Sequence, residues 1–171
     1  MDFIKEYLLL LINFGLLGII ILIMFMLLFR RVWLAVLAII PNVFCAIFIL
    51  GFMGWMNIPL DMMTITIAAI TIGIAVDDTI HYIHRFQSEF KLDGNYRNSV
   101  VRCHGSIGRA IYYTSITITV GFSILTLSNF IPTIYFGLLT GLAMILALLG
   151  DLLLLPLLIY QFRPLGPENK E

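Results

Sequence analysis

The chain has 171 residues, of which 61% are hydrophobic and 12% charged, and its ten basic and ten acidic residues cancel. Soluble domains are about 45–50% apolar and about 25% charged, so this composition excludes a soluble globular protein. The balanced charge also gives no support for a nucleic-acid partner. The sequence therefore predicts an integral membrane protein.

Five apolar stretches are long enough to cross a membrane as helices, since about 20 residues at 1.5 Å rise span the hydrocarbon core. They lie at about residues 8–29, 33–55, 58–84, 110–128 and 133–161. None shows the alternating polarity of a barrel strand. Trp33 and Trp55 stand at the two ends of the second stretch, as interfacial aromatic residues do. The predicted fold is all-α, a polytopic membrane helix bundle with five transmembrane helices in one domain, residues 1–171.

Basic residues indicate the orientation of these helices. They fall between predicted helices one and two, between three and four, and after helix five, so the positive-inside rule puts the C-terminus in the cytoplasm and the N-terminus outside. The stretch 85–109 is then a solvated cytoplasmic connector, with a short interfacial helix near Tyr96–Cys103 whose Val100 and Val101 face lipid. An odd number of helices with an outside N-terminus suggests the C-terminal part of something larger.

Three carboxylates fall within or at the edge of the apolar stretches, namely Asp77, Asp78 and Asp151. A charge at bilayer depth costs at least about 2.5–3.5 kcal/mol, so such residues are functional candidates by default. Helix three either ends at Val76, which leaves the pair in water, or continues to about His84. For Asp151 the alternative to a functional role is equally favoured: an acid near the inner end that caps or packs against a neighbouring helix. If helix three continues, one face carries five residues: Thr66, Gly73, Asp77, His81 and His84.

No Lys or Arg occurs between Val32 and His84 or between Ala110 and Phe162. A carboxylate without a cationic partner in an apolar setting tends to take up a proton, which is what a proton relay requires. Three residues are candidates to support the relay of Asp77 and Asp78: His81, one turn from Asp77, Thr114 on helix four, and Asp151. For Thr114 and its neighbouring hydroxyls, ordinary helix packing is an equal alternative. Four glycines are candidates for close helix packing: Gly73, Gly121, Gly137 and Gly141.

No motif of hydrolytic or phosphoryl-transfer enzymes is present, so the chain is not expected to be an enzyme or to hold a cofactor. The i, i+4, i+7 spacing of Asp77, His81 and His84 allows a metal site, but no further ligand motif supports one. Cys45 and Cys103 have neither the spacing of a metal site nor that of a disulfide framework.

The sequence resembles the resistance-nodulation-division superfamily of transporters. The segment from Gly73 through Asp77-Asp78-Thr79 to Arg85-Phe86 is similar to its Gly-x-x-x-Asp-Asp helix. Further similar residues cover nearly the whole chain: Phe29-Arg30, Pro41-Asn42, Thr114-Ser115, Gly121-Phe122, Ser128-x-Phe130-x-Pro132, Phe136-Gly137 and Asp151 with Pro156. No lysine is available to pair with the acids, as one is in the drug exporters, which favours the hydrophobe- and lipid-exporter branch, related to sterol-sensing domains.

The resemblance implies a proton-driven secondary transporter of the bacterial inner membrane, with twelve helices in two similar halves and a large periplasmic domain in each half. This chain then corresponds to helices two to six of one half, with helices eight to twelve favoured, its N-terminus periplasmic. Asp77 and Asp78 match the proton-relay pair, Thr114 matches a hydroxyl residue of the neighbouring helix, and Asp151 matches a recurrent acid of unassigned role.

The first half and the periplasmic domains are expected as partners, besides the lipid bilayer, and a homo-oligomer stays open. The leading hypothesis is the transmembrane portion of a proton-driven lipid or hydrophobe exporter. The alternatives are a sterol-sensing-like lipid-binding module and a non-functional fragment of a split transporter gene.

Overall fold

The computed structural model describes residues 2–58 and 62–167, without the side chains of residues 2–4, 6, 7, 10, 11, 13, 14, 62–64 and 68. In this part of the chain the regular structure is helical throughout. The seven α-helices are α1 (Asp2–Phe29), α2 (Val32–Trp55), α3 (Met62–Asp93), α4 (Tyr96–Cys103), α5 (Arg109–Ser123), α6 (Ile131–Leu149) and α7 (Leu155–Phe162). A π-helical turn, His104–Gly108, joins α4 to α5, and another, Gly150–Leu154, joins α6 to α7.

Four helical segments are long and apolar enough to cross a membrane: Val32–Trp55, Ile65–Asp93, Tyr96–Leu127 and Ile131–Phe162. The apolar part of α1 among the described residues is Gly15–Phe29. The all-α membrane fold is thus confirmed. Residues 59–61, which lie at the start of the predicted third helix, and residues 168–171 fall outside the described residues.

The predicted connector 85–109 is helical almost throughout, which corrects the sequence-based expectation. α3 continues through Asp77 and Asp78 to Asp93, so the alternative that it ends at Val76 is wrong. Only Gly94, at φ 65°, and Asn95 separate it from α4. The short helix expected near Tyr96–Cys103 is present, but it continues through a π-helical turn into α5. Of its two valines, Val101 is exposed whereas Val100 packs against the core.

An ion cluster fixes the corner between α3 and α4. The Arg102 guanidinium donates to Glu89 Oε2 at 2.6 Å and to both carboxylate oxygens of Asp93. Arg85 pairs with the other oxygen of Glu89 at 2.6 Å. These residues lie beyond the roughly 20 residues of α3 that a hydrocarbon core can hold. Hydrogen bonds from Arg102 lower the pKa of Asp93 to about 2, so this link is retained well below neutral pH.

The C-terminal segment returns to the same corner. The Tyr96 hydroxyl accepts a hydrogen bond from the N–H of Leu165 and lies 3.0 Å from the carbonyl oxygen of Gly166, to which it donates. Arg31, in the turn between α1 and α2, donates to the carbonyl of Pro164 at 3.4 Å. The α3–α4 corner, the α1–α2 turn and the C-terminal segment therefore share one end of the bundle.

Among the described residues, α6 packs against α2, α3 and α5, and small residues allow the closest approaches. A Cβ added at Gly137 would lie 2.5 Å from the carbonyl oxygen of Phe122 on α5, and one at Gly141 would lie 3.5 Å from Ser123 Oγ. Gly150 was not a candidate from the sequence, but a Cβ added there would lie 3.2 Å from Pro41 Cβ of α2. By contrast, a Cβ at Gly73 or Gly121 would meet nothing within 4 Å.

These distances predict that alanine substitution lowers stability at one of the four candidate packing glycines and not at another. Gly137→Ala forces α5 and α6 apart and is expected to lower the free energy of unfolding by about 1–3 kcal/mol. Gly121→Ala, the matched control, adds a methyl group in open space and is expected to cost nothing. Thermal unfolding of the two purified variants measures the difference, and equal stability of the pair would contradict this packing.

Candidate functional site

The helix that carries Asp151 changes its winding at that residue. α6 ends at Leu149, the π-helical turn covers Gly150–Leu154, and Pro156 follows at the start of α7. Proline has no N–H to donate to the carbonyl four residues earlier, and its ring crowds that carbonyl. A π-helical turn is a common way to absorb such a conflict within a helix. Asp151 lies in this turn, inside the bundle, with 1% of its surface exposed.

Asp151 is bound by a hydroxyl group of α3. Thr79 Oγ1 donates to Asp151 Oδ1 at 2.6 Å and accepts a hydrogen bond from Asn42 Nδ2 of α2 at 3.1 Å. Thr79 is fully buried and Asn42 is 5% exposed. Thr79 Oγ1 also lies 2.9 Å from the carbonyl oxygen of Ala75. Because a hydroxyl group carries one proton, Thr79 can donate to Asp151 or to Ala75 but not to both at once.

Asn42, Thr79 and Asp151 form a polar triad. Two of its buried oxygens, Asp151 Oδ2 and Asn42 Oδ1, have no hydrogen-bond partner among the described residues. A buried polar atom without a partner costs about 1–3 kcal/mol, and such an atom in a native structure calls for an explanation. A proton can satisfy the carboxylate oxygen of Asp151, and the donor group of a bound molecule can satisfy either oxygen. The triad is therefore incomplete in a way that a proton or a ligand would complete.

Asp77 and Asp78 lie in the middle of α3, inside the segment Ile65–Asp93 that is long and apolar enough to cross a membrane. The Asp77 side chain is 69% exposed, with His81 Nε2 at 3.6 Å from its Oδ1. Asp78 is half-buried and lies within electrostatic range of both Asp77 and Asp151. The three acids thus run from an open face of α3 to the buried triad.

The structure brings together only some of the residues singled out from the sequence. His81 lies beside Asp77, whereas the Thr114 hydroxyl lies within hydrogen-bond distance of two carbonyls of its own helix, those of Ala110 and Ile111. Gly73, one turn before Asp77, leaves the same face of α3 open. Within residues 2–58 and 62–167, no three His, Cys, Asp or Glu side chains are grouped so that they could hold a metal ion.

Sequence reasoning missed the two residues that link the acids to the rest of the bundle. Asn42 and Thr79 were quoted only as parts of a resemblance, without roles. The signal for Asn42 was present, because it is the one amide side chain in the apolar segment Val32–Trp55. For Thr79 the signal was weak, since a threonine in a membrane helix is commonly bonded to its own backbone.

An apolar cavity of about 240 Å³ opens beside the triad, between α1, α2 and α3. Its wall is aliphatic apart from Asn42. The other lining residues are Leu17, Gly18, Ile21, Ile39, Val43, Ala46, Ile47, Leu50 and Ile72. The cavity therefore offers an apolar molecule room and one polar contact.

The sequence profile of the MMPL family matches residues 5–165, almost the whole chain. The chain belongs to the MMPL family. This membership confirms the resemblance to the lipid-exporter branch of the transporter superfamily, and the chain is a multi-pass membrane protein. No solved structure matches this MMPL chain significantly.

Two curated proteins are similar to this chain. The membrane protein MJ1562 of Methanocaldococcus jannaschii is 30% identical over 145 residues, which cover 85% of this chain and 37% of that protein. The hopanoid transporter HpnN of Burkholderia multivorans is 29% identical over 116 residues, which cover 65% of this chain and 12% of that protein. The chain thus spans well under half the length of either relative.

The triad predicts which hydroxyl group of the bundle matters most. Thr79→Ala leaves Asp151 without its donor and Asn42 Nδ2 with one acceptor fewer, so the free energy of unfolding should fall by about 1–3 kcal/mol. Thr79→Ser keeps the hydroxyl and should restore most of the loss. Thr117, whose hydroxyl donates only to the carbonyl of Tyr113 in its own helix, is the matched control. If Thr117→Ala lowered the thermal stability as much as Thr79→Ala does, the triad would be contradicted.

Proposed function

We propose that the chain is the transmembrane portion of a proton-driven exporter of lipids or other hydrophobic compounds, in which Asp77 and Asp78 relay protons. The observation that carries the proposal is the row of three carboxylates, Asp77, Asp78 and Asp151, in helices that contain no Lys or Arg at that depth. Carboxylates without cationic partners inside a membrane are typical of proton pathways. The MMPL membership and the similarity to a hopanoid transporter support a transport function rather than an enzyme activity.

In this proposal Asp77 takes up a proton at the open face of α3, with His81 beside it, and Asp78 passes it inward. Thr79 then connects the relay to α6 and α7. When Asp151 is ionised, the Thr79 hydroxyl donates to it; when Asp151 carries a proton, it can donate to Thr79, whose own proton turns to the carbonyl of Ala75. The loading of Asp151 with a proton would thereby reverse a hydrogen bond between two helices.

The exposed acid face of α3 also supports a partner in the membrane. Asp77 and His81 are more than half exposed, and Gly73 leaves space for a helix beside them. Contact of these groups with lipid would cost at least about 2.5–3.5 kcal/mol for the carboxylate. We place another transmembrane half there, either a different polypeptide segment or a second copy of this chain.

The basic end of the bundle, with Arg31 and the corner at Arg102, would face the cytoplasm, and the start of α1 the periplasm. The membrane in this proposal is the bacterial inner membrane. Because the chain spans only 37% and 12% of its two relatives, substrate capture is assigned to the remainder of the transporter.

A second candidate function rests on the cavity beside Asn42. A sterol-sensing-like module would bind a lipid between α1 and α2, with an apolar body in the cavity and a hydroxyl or amide group donating to the unsatisfied Asn42 Oδ1. Binding of this kind needs no proton transfer, so it makes no use of Asp77 and Asp78.

The double variant Asp77→Asn, Asp78→Asn separates the two functions. In the complete transporter, proton-driven export should be abolished, because an amide cannot carry the proton, while expression and thermal unfolding stay close to the parent. Lipid binding, followed with a photoactivatable lipid, should persist in the variant under either function. Export by the variant at the parental rate would contradict the proton relay. Export by the variant that still depends on the pH gradient as the parent's does would also contradict it.

A further inference from the structure

Pro156 rules out an α-helical hydrogen bond to one carbonyl of the last membrane helix, that of Leu152. In an α-helix the carbonyl of Leu152 would accept from the N–H of residue 156, and proline has none. A carbonyl inside the bundle that lacks a donor costs about 1–3 kcal/mol, so another group is expected to supply one. The structure supplies a donor from a different part of the chain, since His104 Nε2 lies 2.9 Å from the Leu152 oxygen.

His104 is placed for this contact by its own helix. It is the first residue of the π-helical turn between α4 and α5. At the other end of that turn, a Cβ at Gly108 would be in ordinary van der Waals contact with Leu152 Cδ2, at 3.5 Å. The π-helical turn His104–Gly108 thus packs directly on the π-helical turn Gly150–Leu154. Asp151 is the residue immediately before the bonded carbonyl.

Both ring nitrogens of His104 have polar neighbours. His104 Nδ1 lies 3.2 Å from the Tyr82 hydroxyl and 3.0 Å from the carbonyl oxygen of Val100. Because the Leu152 oxygen can only accept, this contact requires a proton on Nε2. When Nδ1 carries none, it can accept from the fully buried Tyr82 hydroxyl. In this arrangement Tyr82, His104 and the orphaned carbonyl each have a partner, and α3, the α4–α5 turn and the α6–α7 turn are joined.

We propose that His104 is a positioning residue for Asp151: by donating from Nε2 to the carbonyl that Pro156 orphans, it holds the π-helical turn in which Asp151 meets Thr79. The link itself does not depend on what the protein transports. Its consequence for export rests on the proposed function, because it acts through Asp151.

A double-mutant cycle tests the link, because Pro156→Ala returns an N–H to position 156 and so supplies the Leu152 carbonyl from within the helix. In the parent, His104→Leu should lower the midpoint of thermal unfolding by about 4 °C, the cost of one buried unsatisfied carbonyl. It should also shift the infrared carboxyl band of Asp151, assigned by its loss in Asp151→Asn. In the Pro156→Ala background the same substitution should produce neither change.

Two further variants separate positioning from packing. His104→Gln, whose amide can donate from nearly the same place as Nε2, should keep the parental band. His84→Leu, at an exposed histidine of α3, is the matched control and should change nothing. Equal effects of His104→Leu in both backgrounds would overturn the proposal, as would an unchanged Asp151 band in the His104→Leu parent.

Export measured in the complete transporter distinguishes this inference from the proposed function. His104→Leu should reduce proton-driven export about tenfold, a loss of roughly 1.4 kcal/mol, and His104→Gln should restore it. If the infrared band shifts as expected while export is unchanged, the link stands and the role of Asp151 in the proposed function is contradicted. If neither changes, the link itself is wrong.

Discussion

The hydrogen bond between Thr79 and Asp151 joins the two helices on which the rest of the bundle depends. A carboxylate in an apolar helix must find its donors within the protein, and here Thr79 of α3 supplies one at 2.6 Å. Asp151 reaches Thr79 because the π-helical turn before Pro156 places Asp151 inside the bundle. The close approach of Gly150 to Pro41 brings α2 against the same turn, and Asn42 of α2 completes the contact. One polar triad thus fixes the relative positions of three helices.

α3 has a buried face, which makes this contact, and an exposed face. Thr79 and Tyr82 are turned into the bundle and fully buried, while Asp77 and His81 are exposed on the opposite side. Asp78 lies between these faces. In the proposed relay, Asp78 would connect a change of protonation on the open face to the buried face within one helical turn. This arrangement suits a coupling device, because the buried end has two alternative hydrogen-bond partners for a single hydroxyl proton.

Much of this fold could be predicted from the sequence, because hydrophobic length and charge placement determine which segments enter a membrane. Asp77, Asp78 and Asp151 stood out as candidates for the same reason. The helical course of residues 85–109 was not predictable from hydropathy, since the ion cluster of Arg102 with Glu89 and Asp93 is what continues α3 and α4 beyond the apolar stretch. Polar composition there indicated a loop only because the partners of those charges were not visible.

The triad was predictable only in part. Asp151 was visible as an acid, but its partner depends on how α3 and α6 are rotated against each other, which a single sequence does not contain. Thr114 was a candidate supporting hydroxyl because it lies on the neighbouring predicted helix, and Thr79 was given no role. In the structure its hydroxyl group is instead bonded within its own helix. Pro156 was the unused signal, because a proline inside a membrane helix frees a carbonyl and predicts a donor elsewhere in the chain.

The most direct test of this account is the environment of the Asp151 carboxyl group in a lipid bilayer. Solid-state NMR on protein with ¹³C-labelled aspartate and threonine resolves the Asp151 side-chain carbon, assigned by its absence in Asp151→Asn. The account predicts a through-space correlation with the Thr79 side chain and no transfer from bulk water, whereas the Asp77 carbon shows no such threonine contact. A water-exposed Asp151 signal without a correlation to Thr79 would contradict it.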